Sequence, residues 1–393
     1  MRLVVVGASL AGLRAVEAAR RAKFDGEIVL VGAEPHVPYD RPPLSKAFLS
    51  VDDPGEPLTF RTEESFRDEL GVDLRLGAPA TGLDVEARVL EVGADRIEYD
   101  ELVVATGATP RPFPGDELDG VTHLRSLEQA REVRAALDAE ARVVVVGAGL
   151  IGSEIASAVR KRGRDVTVVE AASLPLSRSI GPDAGQVCAD LHRAMGVDLR
   201  LDTPVDGLES SNGRVTGVRL GDGSVLPADL VVIAVGVAPS TEWLRGSGVK
   251  LHERDGGVIT DARLLAAPHV WAAGDVLHDR LENWTAAAAQ GATAAKHALD
   301  PASASDWDDV PYFWSDWYDR KIQMVGSSDA DEVRVLDPGG SGDDTGRGFL
   351  ALYRRGDRLV GALSIDRPRE IMKYRRHVLQ GASWDDLKDG LPS

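Results

Sequence analysis

Twice in this chain a short run rich in valine ends in a glycine-rich turn that opens an alanine-rich helical stretch. Residues 3–6 lead into Gly7-Ala8-Ser9-Leu10-Ala11-Gly12, and residues 143–146 into Gly147-Ala148-Gly149-Leu150-Ile151-Gly152. Such runs predict parallel strands buried on both faces. A helix starting directly after such a strand aims its first-turn N–H groups, and the positive end of its dipole, at whatever lies above the turn, which suits a diphosphate. Glycine is needed where a Cβ would hold the phosphate away from the backbone. In each copy an acidic residue, Glu34 or Glu170, follows roughly 20 residues after the last glycine. Each stands at the end of a second apolar strand, where a carboxylate meets a ribose hydroxyl. The second copy has all three glycines, whereas the first has Ser9 in the middle place, so its turn must admit a small side chain. The duplication predicts an α/β chain that holds two dinucleotides.

Composition narrows the alternatives. A chain of 393 residues is long enough for two or three domains. The longest apolar runs, such as residues 230–238, are about half of what a bilayer span needs, so no membrane helix is predicted. With a strand beginning at residue 3 there is no room ahead of it for a secretory leader, and a cytoplasmic protein is expected. A net charge of −18, from 45 basic and 63 acidic side chains, repels nucleic acid and anionic lipid. The one cysteine, Cys188, cannot form an internal disulfide, which excludes a dithiol relay. Burial as a small apolar residue is its expected fate.

After the first unit comes Asp40-Arg41-Pro42-Pro43-Leu44-Ser45-Lys46, a loop stiffened by two prolines, and then strand-like pieces at 72–76 and 88–92. Both halves close with the same strand–Gly–Pro device: Ala105-Thr106-Gly107-Ala108-Thr109-Pro110-Arg111 and Ala234-Val235-Gly236-Val237-Ala238-Pro239. Ala273-Gly274-Asp275 precedes an alanine-rich helix expected over 285–299. From about residue 308 aromatic residues cluster and hairpin signals follow, with an exposed loop expected over 338–348. The expected organisation is therefore 1–111 with 236–307 as one domain, 112–235 as a second, and 308–393 as a smaller α+β domain.

Taken together, the two turns, Arg41-Pro42-Pro43-Leu44-Ser45-Lys46, the 105–111 segment, Gly274-Asp275 and Phe313-Trp314-Ser315-Asp316 resemble the FAD-dependent pyridine-nucleotide oxidoreductases. More narrowly they resemble the NADH:ferredoxin reductases of the putidaredoxin-reductase type, which serve oxygenases and cytochromes P450. The resemblance implies two Rossmann-like domains of glutathione-reductase type plus the C-terminal α+β domain. It assigns Gly7, Ser9, Ala11, Gly12 and Glu34 to the adenosine half of FAD, and Gly147, Gly149, Leu150, Ile151, Gly152, Glu170 and Gly236 to NAD. An anionic Glu170 repels the 2′-phosphate of NADPH, which favours NADH. Arg178 resembles a position on the NADH side, although it could equally pair with a local carboxylate.

The same resemblance places Arg41, Ala105, Thr106, Gly107 and Arg111 around the FAD pyrophosphate and ring, and Gly274 and Asp275 at the ribityl chain, where Asp275 could also cap a helix. Lys46 is implied beside the flavin, as a cation that stabilises the reduced ring by up to roughly 4 kcal/mol, with plain solvation as its alternative. Glu154 is implied near nicotinamide and flavin, or else complements the dipole of its helix. Trp284 and Trp314 are implied as ring neighbours, against core packing. Trp317 stands where the family commonly has glutamine, a departure that bears on the partner-facing rim.

With no cysteine pair and no recognisable set of metal ligands, hydride from NADH is expected to enter the flavin, and electrons to leave singly to an external ferredoxin. The protein is expected to be a monomer or weak homodimer. Residues 367–376 offer a basic helical face that could steer an acidic partner, or could be a solvated, salt-bridged helix. Two other readings stay open: an NADH oxidase or rubredoxin-reductase-like flavoenzyme, and an NADH-sensing flavoprotein like apoptosis-inducing factor.

Overall fold

Strand Arg2–Val6 pairs in parallel on both sides, with Leu3 opposite Ile28 of Glu27–Val31 and opposite Glu101 of Glu101–Val104. The computed structural model describes residues 1–278, 282–337 and 348–388, apart from a few side chains. The full sheet runs Leu265–Ala267, Val270–Ala272, Glu101–Val104, Arg2–Val6, Glu27–Val31, Val72–Arg75, and is parallel except for its first pair. Leu3, Val4, Val5, Leu102 and Val103 are wholly buried, as an apolar run covered on both faces must be. Helix Leu10–Arg21 lies against helix Trp284–Leu299 at close range, since a Cβ on Gly291 would stand 2.1 Å from the carbonyl oxygen of Ala11. A three-stranded antiparallel sheet, Ala80–Asp84, Val89–Val92 and Asp95–Glu98, completes this unit, which comprises Met1–Asp40, Pro57–Thr109 and Val237–Asp309.

The second unit comprises Arg41–Glu56, Pro110–Gly236 and Val310–Ser393. Its parallel sheet runs Asp198–Arg200, Val166–Val169, Val143–Val146, Leu230–Ile233, Val121–Thr122, with Val143 opposite Val166 and Leu230. Three antiparallel strands, Val205–Ser211, Arg214–Leu220 and Val225–Pro227, pack on it. Cys188 is fully buried in helix Ser177–Ala194, and burial pushes its thiol up to about 12, so it is inert.

The C-terminal part of this unit is a five-stranded antiparallel sheet, Tyr312–Trp317, Arg320–Gly326, Arg358–Ile365, Leu350–Arg355, Glu332–Asp337, covered by helix Pro368–Leu379 through Ile371 and Tyr374. Its first hairpin turns on Tyr318 and Asp319, at φ 50° and 71°. Two consecutive left-handed residues make the type of two-residue turn that matches strand twist. A tyrosine is uncommon there, and this one is held by its N–H on Ser157 Oγ at 2.7 Å and its hydroxyl on His192 Nδ1 at 2.7 Å. The expected exposed loop over 338–348 falls, but for residue 348, outside the described residues.

Candidate cofactor sites

In the first unit the turn is dictated by backbone contact. Gly7 has φ 121°, and a Cβ there would stand 2.1 Å from Ala105 O, while one on Gly12 would stand 1.9 Å from Gly7 O. No side chain fits at either place, so these glycines weld strand, turn and helix together. The first intrahelical bond is Leu13 N–H to Ser9 O at 2.8 Å. The amides of Leu10, Ala11 and Gly12 therefore precede any helical acceptor, as an anion site requires. Glu34 accepts from the Tyr39 hydroxyl at 2.6 Å, which orients its carboxylate. Gly274 comes to the same helix start: its position, at φ 81°, would put a Cβ 3.4 Å from Ala11 Cβ, and its N–H donates to Gln290 Oε1 at 2.9 Å. Asp275 is half-buried beside it. Thr106 Oγ1 donates to Ser240 O at 2.9 Å and Gly107 has φ 68°, so this segment is a fixed turn. Trp284 opens its helix after Asn283, whose side chain caps Ala286 N–H, and its indole donates to Asp40 Oδ1 at 2.8 Å.

The second unit repeats the device with one informative difference. A Cβ on Gly147 (φ 105°) would meet Ala234 O at 2.5 Å, and one on Gly152 would meet Gly147 O at 2.0 Å. A Cβ on Gly149, by contrast, would find nothing nearer than 3.9 Å. The protein itself does not need glycine at 149. A phosphate approaching the backbone does, and this open cradle fits the diphosphate of a dinucleotide. Glu170 is fixed by two amides, accepting from Ala148 N–H at 2.8 Å and from Ala172 N–H at 2.9 Å, which puts its carboxylate beside the turn. Ile151 and Val235 are 42% and 41% exposed, an unusual pair of uncovered aliphatic side chains flanking the turn and Gly236. Gly236 has φ 100°, and its carbonyl accepts from Arg111 N–H at 3.0 Å, while the Arg111 side chain is exposed. Arg178 lies in helix Ser177–Ala194, and its side chain falls outside the described residues.

Lys46 and Glu154 meet in this same unit. The Lys46 ammonium is 2.8 Å from Glu154 Oε1, with the carboxylate side chain only 3% exposed. Glu154 also accepts from the Ser45 and Ser315 hydroxyls, and the Trp317 indole donates to Ser315 Oγ at 2.8 Å. An ionised carboxylate is an acceptor only, and three donors converging on it satisfy it. Two expectations are corrected here. Helix Leu150–Lys161 has no acidic residue in its first turn, so Glu154 is too far along to complement the dipole. Lys46 is not simply solvated, since its ammonium is ion-paired with the buried Glu154 carboxylate.

Trp317 is fully buried, its ring centroid 5.0 Å from that of His192. The departure from glutamine at this position thus changes the interior under Glu154 and not an exposed rim. Trp314 is half-buried and stacks on Tyr312, ring centroids 5.8 Å apart. Arg41 donates to the Arg125 carbonyl at 2.7 Å.

Sequence reasoning gave Ser45 and Ser315 no role although both stand inside motifs it singled out. Their partner lies 109 and 161 residues away. It also missed His192, which bridges Tyr318 and Ser153 Oγ (3.0 Å) in a buried chain next to Glu154. Burial lowers its pKa to about 4, so the ring is neutral at pH 7.

The family described as pyridine nucleotide-disulphide oxidoreductase matches residues 1–291, and that described as reductase C-terminal matches residues 312–389. Rhodocoxin reductase of Rhodococcus erythropolis is 36% identical over 96% of this chain and 89% of its own length. The ferredoxin–NAD(+) reductase component of the anthranilate 1,2-dioxygenase system of Burkholderia cepacia is 35% identical over 97% of this chain and 95% of its own. Among solved structures, the covalent putidaredoxin reductase–putidaredoxin complex superposes with a TM-score of 0.88 at 31% identity, covering 97% of this chain and 93% of that one. Among the described residues no helix is long and apolar enough to cross a membrane.

Proposed function

We propose that this chain, which belongs to the pyridine nucleotide-disulphide oxidoreductase family, is an FAD-containing NADH:ferredoxin reductase that feeds an oxygenase or a cytochrome P450. The relatives named above are reductases of such carriers or components of such systems. FAD supplies the step from a two-electron hydride donor to one-electron acceptors. The chain's own residues bind, orient and tune. The amides of Leu10–Gly12 and of residues 150–152 hold the two diphosphates, Glu34 and Glu170 take ribose hydroxyls, and Glu170 sets the preference for NADH. Arg41, Arg111, Thr106, Asp275, Trp284 and Trp314 line the flavin, and the Lys46–Glu154 pair adjusts its potential. With a single buried cysteine, no dithiol takes part. The acceptor is a small ferredoxin, of the 2Fe–2S type in our reading, met by a monomer or weak homodimer in the cytoplasm. The domain limits at 111/112, 235/236 and 307/308 belong to the same proposal.

The observation that carries this reading is the duplicated turn, each copy with first-turn amides that precede any helical acceptor and with an acid oriented by hydrogen bonds at the end of the next strand. Purified protein should be yellow and release FAD on heating. Colourless protein that neither retains nor rebinds FAD would reject the reading. Oxygen turnover rivalling that with every ferredoxin tried would move it to the oxidase class.

A further inference from the structure

In the first unit, apart from everything assigned above, His252, Asp255 and His278 converge. One ligand atom from each lies within 4.8 Å of the others. His252 Nδ1 is 3.1 Å from Asp255 Oδ1, and His278 Nδ1 is 3.1 Å from Asp255 Oδ2, so one carboxylate faces both imidazoles. The rings are stacked, centroids 3.6 Å apart and planes 16° from parallel.

The backbone fixes this grouping. His252 N–H donates to Gly257 O at 2.8 Å, Gly256 N–H returns to His252 O at 2.9 Å, and His278 N–H donates to Val258 O at 2.9 Å. Asp255 is locked by Gly257 N–H at 3.0 Å. A Cβ on Gly257 would come within 2.6 Å of His278 N, which shows how tightly the turn is laid against the second histidine. The three side chains are 23–29% exposed, enough for water to complete a coordination shell.

We propose that His252, Asp255 and His278 form a binding site for a divalent transition metal of the zinc class. Two imidazoles and one carboxylate are the nitrogen and oxygen donors such ions take. A tetrahedral ion with bonds of about 2.1 Å sets its ligands roughly 3.4 Å apart. The imidazole nitrogens stand 3.1 Å from one carboxylate oxygen each, and one ligand atom per residue already falls within 4.8 Å of the others, so side-chain rotation with no backbone rearrangement is what would close the site. Binding would clip the turn at 252–257 to the segment after Gly274 and stabilise this unit without entering the redox chemistry. Protons compete for both imidazoles and the carboxylate, so affinity falls on acidification.

The test is calorimetric titration of the tag-free flavoprotein with Zn²⁺ at pH 7.5 and pH 5.5, paired with thermal unfolding. The expected result is one ion per chain, a Tm raised by a few degrees, and affinity lower by at least about tenfold at the acid pH. H252N and H278N should each weaken binding by at least about tenfold while leaving NADH-dependent dye reduction unchanged. D255N checks the carboxylate in the same way, and unfolding without metal shows that each variant is folded. Failure of the native protein to bind, or binding unchanged in both folded histidine variants, would overturn the assignment. Because the readout is metal binding, neither outcome depends on the redox proposal.

Discussion

The Lys46 ammonium lies 2.8 Å from the buried carboxylate of Glu154, and two serines donate to the same carboxylate. Removing one member leaves the other's charge uncompensated. E154A should therefore cost on the order of 3 kcal/mol of stability, read by denaturant unfolding, with E154Q costing less because its amide oxygen still accepts from a serine. The two charge deletions should also move the flavin midpoint potential in opposite senses, K46M downward and E154Q upward. Shifts of the same sign would separate this pair from the flavin.

Glycines 149 and 152 should behave differently. G152A drives a Cβ to within 2.0 Å of Gly147 O and should be strongly destabilising, whereas G149A meets nothing nearer than 3.9 Å. G149A is expected to keep the native Tm within what about 0.5 kcal/mol allows, and to raise KM for NADH roughly tenfold, about the 1.4 kcal/mol cost of a poorer phosphate contact. Unchanged NADH kinetics in folded G149A would show that no phosphate sits over this turn.

Glu170 is held by Ala148 and Ala172 amides in a single orientation. E170A should lower kcat/KM for NADH and raise it for NADPH, narrowing the preference at least about tenfold. Steady-state kinetics with both nucleotides checks this, and a preference untouched by E170A would place the discrimination elsewhere.

His192 gives stability a definite pH dependence. Its pKa is lowered by burial from 6.5 to about 4, so the unfolded chain takes up a proton there that the folded chain refuses. The stabilisation is therefore complete above pH 6.5 and is lost as pH falls from 6.5 toward 4, by about 3 kcal/mol at most. Urea unfolding at pH 7 and pH 5 should show a steeper loss in the native protein than in H192Q. Equal losses would contradict a neutral buried imidazole.

Helix Pro368–Leu379 buries Ile371 and Tyr374 and leaves Lys373 and Arg376 exposed. If this face steers an acidic ferredoxin, K373E/R376E should lower kcat/KM for ferredoxin and flatten its salt dependence, with ferricyanide reduction unchanged. An unaltered salt profile would reject the docking face.

Much of this was legible in the sequence because it is local. Valine runs, a turn with glycines at fixed places and an acid at the next strand end write a strand–turn–helix unit within a few dozen residues. What was hidden is relational. Nothing in the spacing says that Ser315 reaches Glu154, or that Trp317 turns inward to pack by His192, because those contacts join segments more than a hundred residues apart. Gly149 is the clearest case of the reverse: the sequence pointed to it, and only the empty space around its Cα separates a glycine kept for a ligand from one kept for packing.

Mixing the purified flavoprotein anaerobically with NADH or NADPH, then with an oxidised 2Fe–2S ferredoxin, while following the flavin absorbance, decides whether electrons pass from NADH through FAD to such a carrier. Rapid bleaching by NADH, slow bleaching by NADPH, and recovery of the oxidised spectrum as the ferredoxin is reduced are expected. Flavin that NADH leaves oxidised, or that stays reduced in the presence of every ferredoxin tried, would rule out an NADH:ferredoxin reductase.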